Sequence, residues 1–489
     1  MNRRTFIRQG GLLASGLALP NLMHALPDHE PDKPSPESSP QQPVFPRGTE
    51  RPPPERRCFA SAAVEARIEA LAPRVTRPGL ARLFRNCYPN TLDTTVTLGG
   101  EPGSEDTFVI TGDIPAMWLR DSTAQTLPYV DLAPQDESLR RLFRGLLRRQ
   151  AACVLLDPYA NAFYRGQETG EFRDDETEMK PGVHERKWEI DSLCYPLRLA
   201  HAYWRATADR APLDARWLDA ARLILDTFQV QQRLTAPGPY RFARKSDFFY
   251  DHSPNGGRGN PTRKIGLIHS AFRPSDDGCF FPFLIPANFF AETALRQLAE
   301  LAREIYRQES LATECLRLAD TLKSTLARHA TCEHPVHGRI FAFEVDGFGN
   351  ALMMDDANIP SLLALPYLGA CRAGDPVYHR TRGFVLSPDN PYFHQGRLAE
   401  GVGGPHVAPT MIWPLSIIMR ARTSRDEPEI VQCLRMLAAT HADTGFMHES
   451  FDPDDPAKFS RPWFAWCNSQ FGELIVHLSE HFPETLKQA

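Results

Sequence analysis

The chain has no stretch of roughly 20 consecutive apolar residues, so no membrane-spanning helix is expected. Its ten cysteines are scattered without a CxxC pair, and zinc-ribbon spacing is missing. No group of histidines and carboxylates has zinc or calcium ligand spacing, so neither metal nor cofactor is expected. No long basic run follows the first residues. With a formal net charge of -5, nucleic acid is not an expected partner. The strand, Gly-rich turn and helix alternation of Rossmann and TIM folds is absent too.

What is present begins with an address. The pair Arg3-Arg4 precedes Thr5-Phe6-Ile7-Arg8, and Gly10 to Leu19 form a short, weakly apolar run. A basic start before such a run is a signal-peptide pattern, and consecutive arginines point to the twin-arginine export machinery. Residues 1–25 are assigned to this signal, which implies a periplasmic or secreted location. Such a location permits disulfides, but folding before export favours free, buried cysteines. Residues 26–57 are rich in Pro, Ser and charge, include Pro52-Pro53-Pro54, and have little to bury. They are expected as a disordered linker. Residues 58–489 remain for one large domain.

Within that domain two kinds of segment alternate. Plain amphipathic stretches run from Glu137 to Leu156, Leu213 to Gln231, Glu309 to Arg328 and Pro428 to Ala442, with apolar residues at helical spacing. Motif-bearing segments begin near Trp118, Trp188, Pro286, Asn358, Ala408 and Phe464, and each leads into a helical stretch. The last motif helix would be partnered by Ala60 to Leu71, and a weaker helix would follow Gly374. Six inner and six outer helices make an all-α (α/α)6 barrel, with the motifs gathered at one end. Short strands are expected within Thr91–Thr97 and Arg339–Val345.

Three loops carry groups suited to chemistry. The run Gly266 to Cys279 contains Ser275-Asp276-Asp277 and is too rich in Gly, Pro and Ser for a helix interior. Adjacent aspartates cannot share one environment comfortably. Arg273 is expected to hold one ionised, while Phe280 and Phe281 desolvate the other and raise its pKa, as a general acid requires. The alternative is a helix N-cap. The second loop, Thr444 to Trp466, sets His448-Glu449 among apolar residues, and Glu449 is a candidate general base. Trp463, Phe464 and Trp466 suit sugar stacking or ordinary core. Its Asp452, Asp454 and Asp455 lack EF-hand spacing. The third loop, Thr111 to Ser122, places Asp113, Arg120 and Asp121 beside Trp118, as sugar contacts or a structural ion pair. Lys187-Trp188-Glu189-Ile190-Asp191 and Asp355-Asp356-Ala357-Asn358 are weaker signals. His406, after a Gly-rich run that is not a phosphate loop, reads as a substrate donor.

Six runs resemble the metal-independent exo-α-1,6-mannosidases of glycoside hydrolase family 125: TGDIPAMWLRDS (111–122), KWEIDSLCYPL (187–197), SAFRPSDDGC (270–279), LIPANFFA (284–291), DDANIPSLLALPYL (355–368) and FMHESFDPDDPAKFSRPWFAWCNSQFGELI (446–475). The resemblance implies an (α/α)6 barrel, an α-mannoside substrate cut from its non-reducing end, and inversion at the anomeric carbon. It implies an acid within Ser275-Asp276-Asp277, with Asp276 preferred, and a base at Glu449. Inverting enzymes set these two carboxyls ~6.5–9.5 Å apart, so that water fits beside the base. The rival readings are another (α/α)6 α-glycosidase, a catalytically inactive periplasmic glycan-binding protein, and a lyase using a Tyr or His base.

Overall fold

The structure is a computed structural model that describes residues 50–488. The signal assignment, and the linker assignment up to residue 49, lie outside the described residues. Residues 50–57, expected as linker, are held on the domain. Arg51 donates to Asp93 at 2.9 and 3.0 Å and to Glu65 at 2.9 and 2.7 Å, and Arg82 pairs with Glu50 at 2.8 Å. The buried Asp93 carboxylate needs a cation, and it draws these residues out of the linker. The ordered part therefore includes residues ahead of Cys58.

The chain is mostly helical, and side-chain caps fix several helix starts. Ser61 accepts from Val64 N–H ahead of the helix Ala62–Leu71, and Asp136 accepts from Ser138 and Leu139 ahead of Glu137–Leu156. Asp214 accepts from Trp217 ahead of Ala215–Gln231, and Asp375 from Val377 and Tyr378 ahead of Pro376–Val385. The plain segments fold as amphipathic helices: Glu137–Leu156, Ala215–Gln231, Glu309–His329 and Glu427–Ala439. Leu139, Leu142, Phe143, Leu146 and Leu147 form the buried stripe of the first.

The motif helices are Leu119–Thr126, Ile190–Thr207, Ile285–Glu304, Pro414–Arg422 and Ala465–His481. Every residue of Leu119–Thr126 is buried, as is every residue from Ile190 to Leu197. Leu119–Thr126 packs on both Ile190–Thr207 and Ala465–His481. Ile190–Thr207 packs on Ile285–Glu304, and Pro414–Arg422 packs on Ala465–His481. Outside them, Glu309–His329 backs Ile285–Glu304 and Glu427–Ala439 backs Pro414–Arg422.

Two expectations are corrected. The segment from Asn358 is no helix but a run of bends and turns to residue 370. Pro360 and Pro366 remove two backbone donors, and the Asp355 carboxylate takes the N–H groups of Leu362 and Leu363 at 2.8 and 3.0 Å. The segment still fills its place, because Tyr195 and Arg198 donate to the carbonyls of Ile359 and Tyr367, and Tyr367 donates to Glu473. The partner of the last helix is Pro78–Cys87, not Ala62–Leu71, which lies against residues 127–135. A Cβ on Gly472 would come within 2.7 Å of Tyr88 Cα, so glycine permits this close approach.

Short strands tie the helix starts together. Met117–Trp118, Ala162–Phe163 and Val183–Glu185 form one small sheet, and Phe283–Leu284, Glu344–Val345 and Ala351–Leu352 another. The hairpins Val96–Gly99/Asp106–Val109 and Thr331–His334/Gly338–Phe341 overlap the expected strand regions, although Asn90–Thr94 is helical. All ten cysteines are free and seven are buried. No helix of the described residues is long and apolar enough to cross a membrane.

Candidate active site

The three motif loops converge where the buried helices begin. Gly112 bridges to Phe464, and a Cβ there would lie 2.2 Å from the Trp463 carbonyl oxygen; its φ of 129° also needs glycine. The second and third motif loops are thus stitched backbone to backbone. Ala271 and Phe272 donate to the Trp188 carbonyl at 3.1 and 3.0 Å, which joins the Asp276 loop to the Lys187–Asp191 motif.

Arg120, almost wholly buried, organises one end. Its Nε donates to Asp191 at 3.1 Å, its Nη1 to Asp121 at 2.8 Å, and its Nη2 to both Glu189 at 3.1 Å and Asp276 at 3.2 Å. Asn161 Nδ2 is shared in the same way, donating to Asp276 at 3.2 Å and Glu189 at 3.4 Å. Lys187 donates to the Asp276 carbonyl at 2.7 Å and to Asp251 at 3.1 Å. One guanidinium cannot hold four touching carboxylates ionised away from water. Burial raises Asp191 to about 6 against the pull of Arg120. Burial likewise pushes Glu189 well above the usual carboxylate range, and Asp276 beside it adds to the rise. Burial and the nearby Glu185 also act to raise Asp276, but Arg120, Lys187 and a hydrogen bond with Glu189 bring it below the usual range. This favours the proton of the pair on Glu189, which has no exposed side-chain surface, while the Asp276 side chain is 23% exposed.

The other end is built on Arg461. It donates to Asp113 at 2.8 Å through Nε and lies 3.4 Å from Glu449 Oε1 through Nη1. Ser460 donates to Glu449 Oε2 at 2.9 Å. An aromatic floor joins the ends: Arg120 lies 5.4 Å from the Trp466 ring, Trp466 6.0 Å from Phe464, and Arg461 4.7 Å over Phe464. Trp413 flanks Phe464 at 5.9 Å and His406 at 6.0 Å. The indole N–H groups of Trp118, Trp413 and Trp466, and Asp356 Oδ2, are buried without a protein partner. Buried polar atoms are normally paired, so these are groups a bound hydroxylated ligand can satisfy.

The structure brings together Asp113, Trp118, Arg120, Asp121, Asp276, Asp277, His406 and Glu449, but with different standing. Asp277 is wholly buried, receiving Ser275 Oγ at 3.2 Å and facing His406 Nδ1 at 3.2 Å. Three assignments are corrected. The Arg273 guanidinium pairs through Nε with buried Glu344 at 2.6 Å, and Arg273 meets the two aspartates through backbone hydrogen bonds, donating to the Asp277 carbonyl at 2.7 Å and accepting from Asp276 N–H at 2.9 Å. His448 stacks on Phe459 at 3.8 Å and is buried, which pushes its pKa down to about 4. Trp463 is turned inward, its N–H donating to Thr94 at 3.1 Å. The expected desolvation of an aspartate by Phe280 and Phe281 also fails. Their backbone N–H groups bind Glu344, Phe280 is half exposed, and the raised carboxyl is Glu189.

Residues that sequence reasoning passed over include Asn161, Glu185, Asp251, Trp413 and the role of Arg461. None stands in a dense motif except Arg461, whose partner Asp113 is far away in sequence. Among the described residues, His334, His337 and Asp389 bring three ligand-type atoms within 4.8 Å, a group that spacing did not suggest. None of them belongs to this site.

A helical scaffold whose buried helix starts present separate carboxylates across a tryptophan-rich floor is the make-up of a glycoside hydrolase. Residues 77–476 match the metal-independent alpha-mannosidase family (GH125), and the chain belongs to that family. A solved metal-independent α-mannosidase of Streptococcus pneumoniae, in a non-productive complex with α-1,6-mannobiose, is 41% identical, with a TM-score of 0.83 over 88% of this chain and 100% of that one. The meiotically up-regulated gene 157 protein of Schizosaccharomyces pombe is 40% identical over 90% of each chain. A bacterial glucoamylase bound to acarbose, 13% identical with a TM-score of 0.52 over 83% of this chain and 57% of its own, shares the fold alone.

Proposed function

We propose that this α-mannosidase is an exo-acting, inverting enzyme that removes terminal mannose from α-1,6-linked mannosides, with Asp276 as general acid and Glu449 as general base. The observation that carries this reading is the pairing of the ends. Of the two adjacent aspartates only Asp276 is partly exposed, and the aromatic floor connects it, through Arg120 and Arg461, to Glu449. The α-1,6 linkage is supported by the motif resemblance and by the mannobiose held in the pneumococcal relative. The ring of buried helices, with residues 355–370 in the sixth place, is read as an (α/α)6 barrel.

Asp276 gives its proton to the glycosidic oxygen as the bond to the anomeric carbon breaks. Glu449 takes a proton from water, whose oxygen attacks that carbon from the opposite face and leaves β-mannose. Glu189 is buried and cannot reach substrate, but it shares Arg120 and Asn161 with Asp276. It therefore serves as the store from which Asp276 is protonated. Asp113, Asp356, His406 and the free indole N–H groups are the partners offered to sugar hydroxyls. Export by the twin-arginine machinery to the periplasm or beyond rests on Arg3-Arg4 and the apolar run after them.

Proton NMR of hydrolysis tests the reading. α-1,6-Mannobiose should release β-mannose first, while maltose and the α-1,2 and α-1,3 mannobioses should be cut slowly or not at all. Initial release of α-mannose, or equal rates on all linkages, would contradict it.

A further inference from the structure

Eight large apolar side chains are exposed among the described residues, and scattered ones need no special reason; what sets two of them apart is their place. Two of them, Phe249 at 70% exposure and Phe280 at 49%, belong to segments locked to the Asp276 loop. Phe280 follows Asp276 by four residues. Its backbone is fixed on both sides, the N–H by Glu344 Oε2 at 2.9 Å and the carbonyl by Asn260 Nδ2 at 2.9 Å, and its ring lies 4.8 Å from Phe281.

Phe249 opens the short turn Phe249–Asp251. That turn is pressed onto the same loop: Gly278 N–H donates to the Tyr250 carbonyl at 2.7 Å, and a Cβ on Gly278 would come within 2.4 Å of the His252 carbonyl oxygen. Lys187 completes the lock by bonding both the Asp276 carbonyl and the Asp251 carboxylate. The Phe249 ring sits 5.2 Å from Tyr250. Both phenyl rings are thus held in solvent by anchored backbone, on the unit that carries Asp276. Neither belongs to the loop that carries Glu449.

In an inverting glycosidase the acid stands on the leaving-group side and the base on the water side. The leaving glycan must therefore pass over the acid-bearing unit. We propose that Phe249 and Phe280 form a further sugar subsite, stacking on the apolar face of the second sugar of the leaving chain, so that the enzyme favours α-1,6-mannans of three or more units over the disaccharide. This rests on Asp276 being the acid.

The test compares kcat/KM on α-1,6-mannotriose and α-1,6-mannobiose. The native enzyme should favour the trisaccharide by roughly two- to tenfold, the range an aromatic contact supplies. Phe249→Ala combined with Phe280→Ala should bring the ratio to about one, whereas Phe249→Tyr with Phe280→Tyr should keep it. Equal values for the native enzyme, or a preference that survives the double alanine variant, would overturn the subsite and return these rings to another role such as a protein contact. A wrong acid assignment shows separately, as an Asp276→Asn enzyme whose loss does not depend on the leaving group.

Discussion

At the residue scale the site turns on sharing. Arg120 and Asn161 each serve Glu189 and Asp276 together, and burial keeps the proton of that pair on Glu189. If Glu189 stores the proton, Glu189→Gln leaves Asp276 alone with Arg120, Lys187 and a permanent amide donor, all of which favour its ionised form. The alkaline limb of kcat/KM on mannobiose should then move to lower pH, while activity on an aryl mannoside with an acidic phenol changes far less. An unmoved alkaline limb would remove Glu189 from the proton path. Sequence pointed to Asp276, Arg120 and Glu449 through unusual polar residues in apolar surroundings. It misplaced Arg273 and Trp463, because their partners Glu344 and Thr94 lie outside the motif loops, and His448, because the turn of its own loop that stacks Phe459 on it has no sequence signal.

At the element scale the amphipathic helices were legible from spacing, with ends within a few residues, because one buried stripe decides them. The segment after Asp355 was not. Its apolar density suits a helix, yet two prolines and a side-chain acceptor for Leu362 and Leu363 hold it as turns. Burial raises Asp355 to about 8, although those two N–H groups pull the other way. A carboxyl raised above its unfolded value of about 4 keeps, between about pH 4 and 8, a proton the unfolded chain has lost, so stability falls as pH rises through that window. His269 and His448, lowered by burial to about 3 and about 4, act in the opposite sense up to about pH 6.5, where the unfolded imidazoles have lost their protons. Above pH 6.5 the histidine effect fades, and the Asp355 carboxyl effect prevails. Thermal or urea unfolding should show stability declining from pH 6.5 to 8, by at most roughly 1.4 kcal/mol per pH unit for each proton. Asp355→Asn should shallow that decline. A native slope of zero, or an unchanged slope in the variant, would mean Asp355 is ionised in the fold.

At the scale of the whole molecule, distant loops become one site only because helix starts converge. Asp276 and Glu449 come from separate loops, and the Gly112–Phe464 bridge brings in a third. Sequence could name the loops by their density of polar and aromatic groups. It could not show that Arg120 and Arg461 face each other across Trp466 and Phe464, since no local pattern encodes contacts of such separation. The proposed twin-arginine export makes a prediction of its own: replacing Arg3 and Arg4 with lysines should hold the precursor in the cytoplasm, seen by fractionation, and undiminished export of the double variant would exclude the twin-arginine route.

The division of work between the two carboxyls is the most direct test of the account. A general acid matters most when the leaving group is poor, whereas a base is needed whatever leaves. The measurement is kcat/KM for Asp276→Asn and Glu449→Gln on α-1,6-mannobiose and on an aryl mannoside with an acidic phenol. Asp276→Asn should lose about 10²–10⁴-fold on the disaccharide and much less on the aryl substrate, while Glu449→Gln should lose that much on both. Full disaccharide activity in Asp276→Asn, or equal losses on both substrates, would contradict the assignment of Asp276 as the acid.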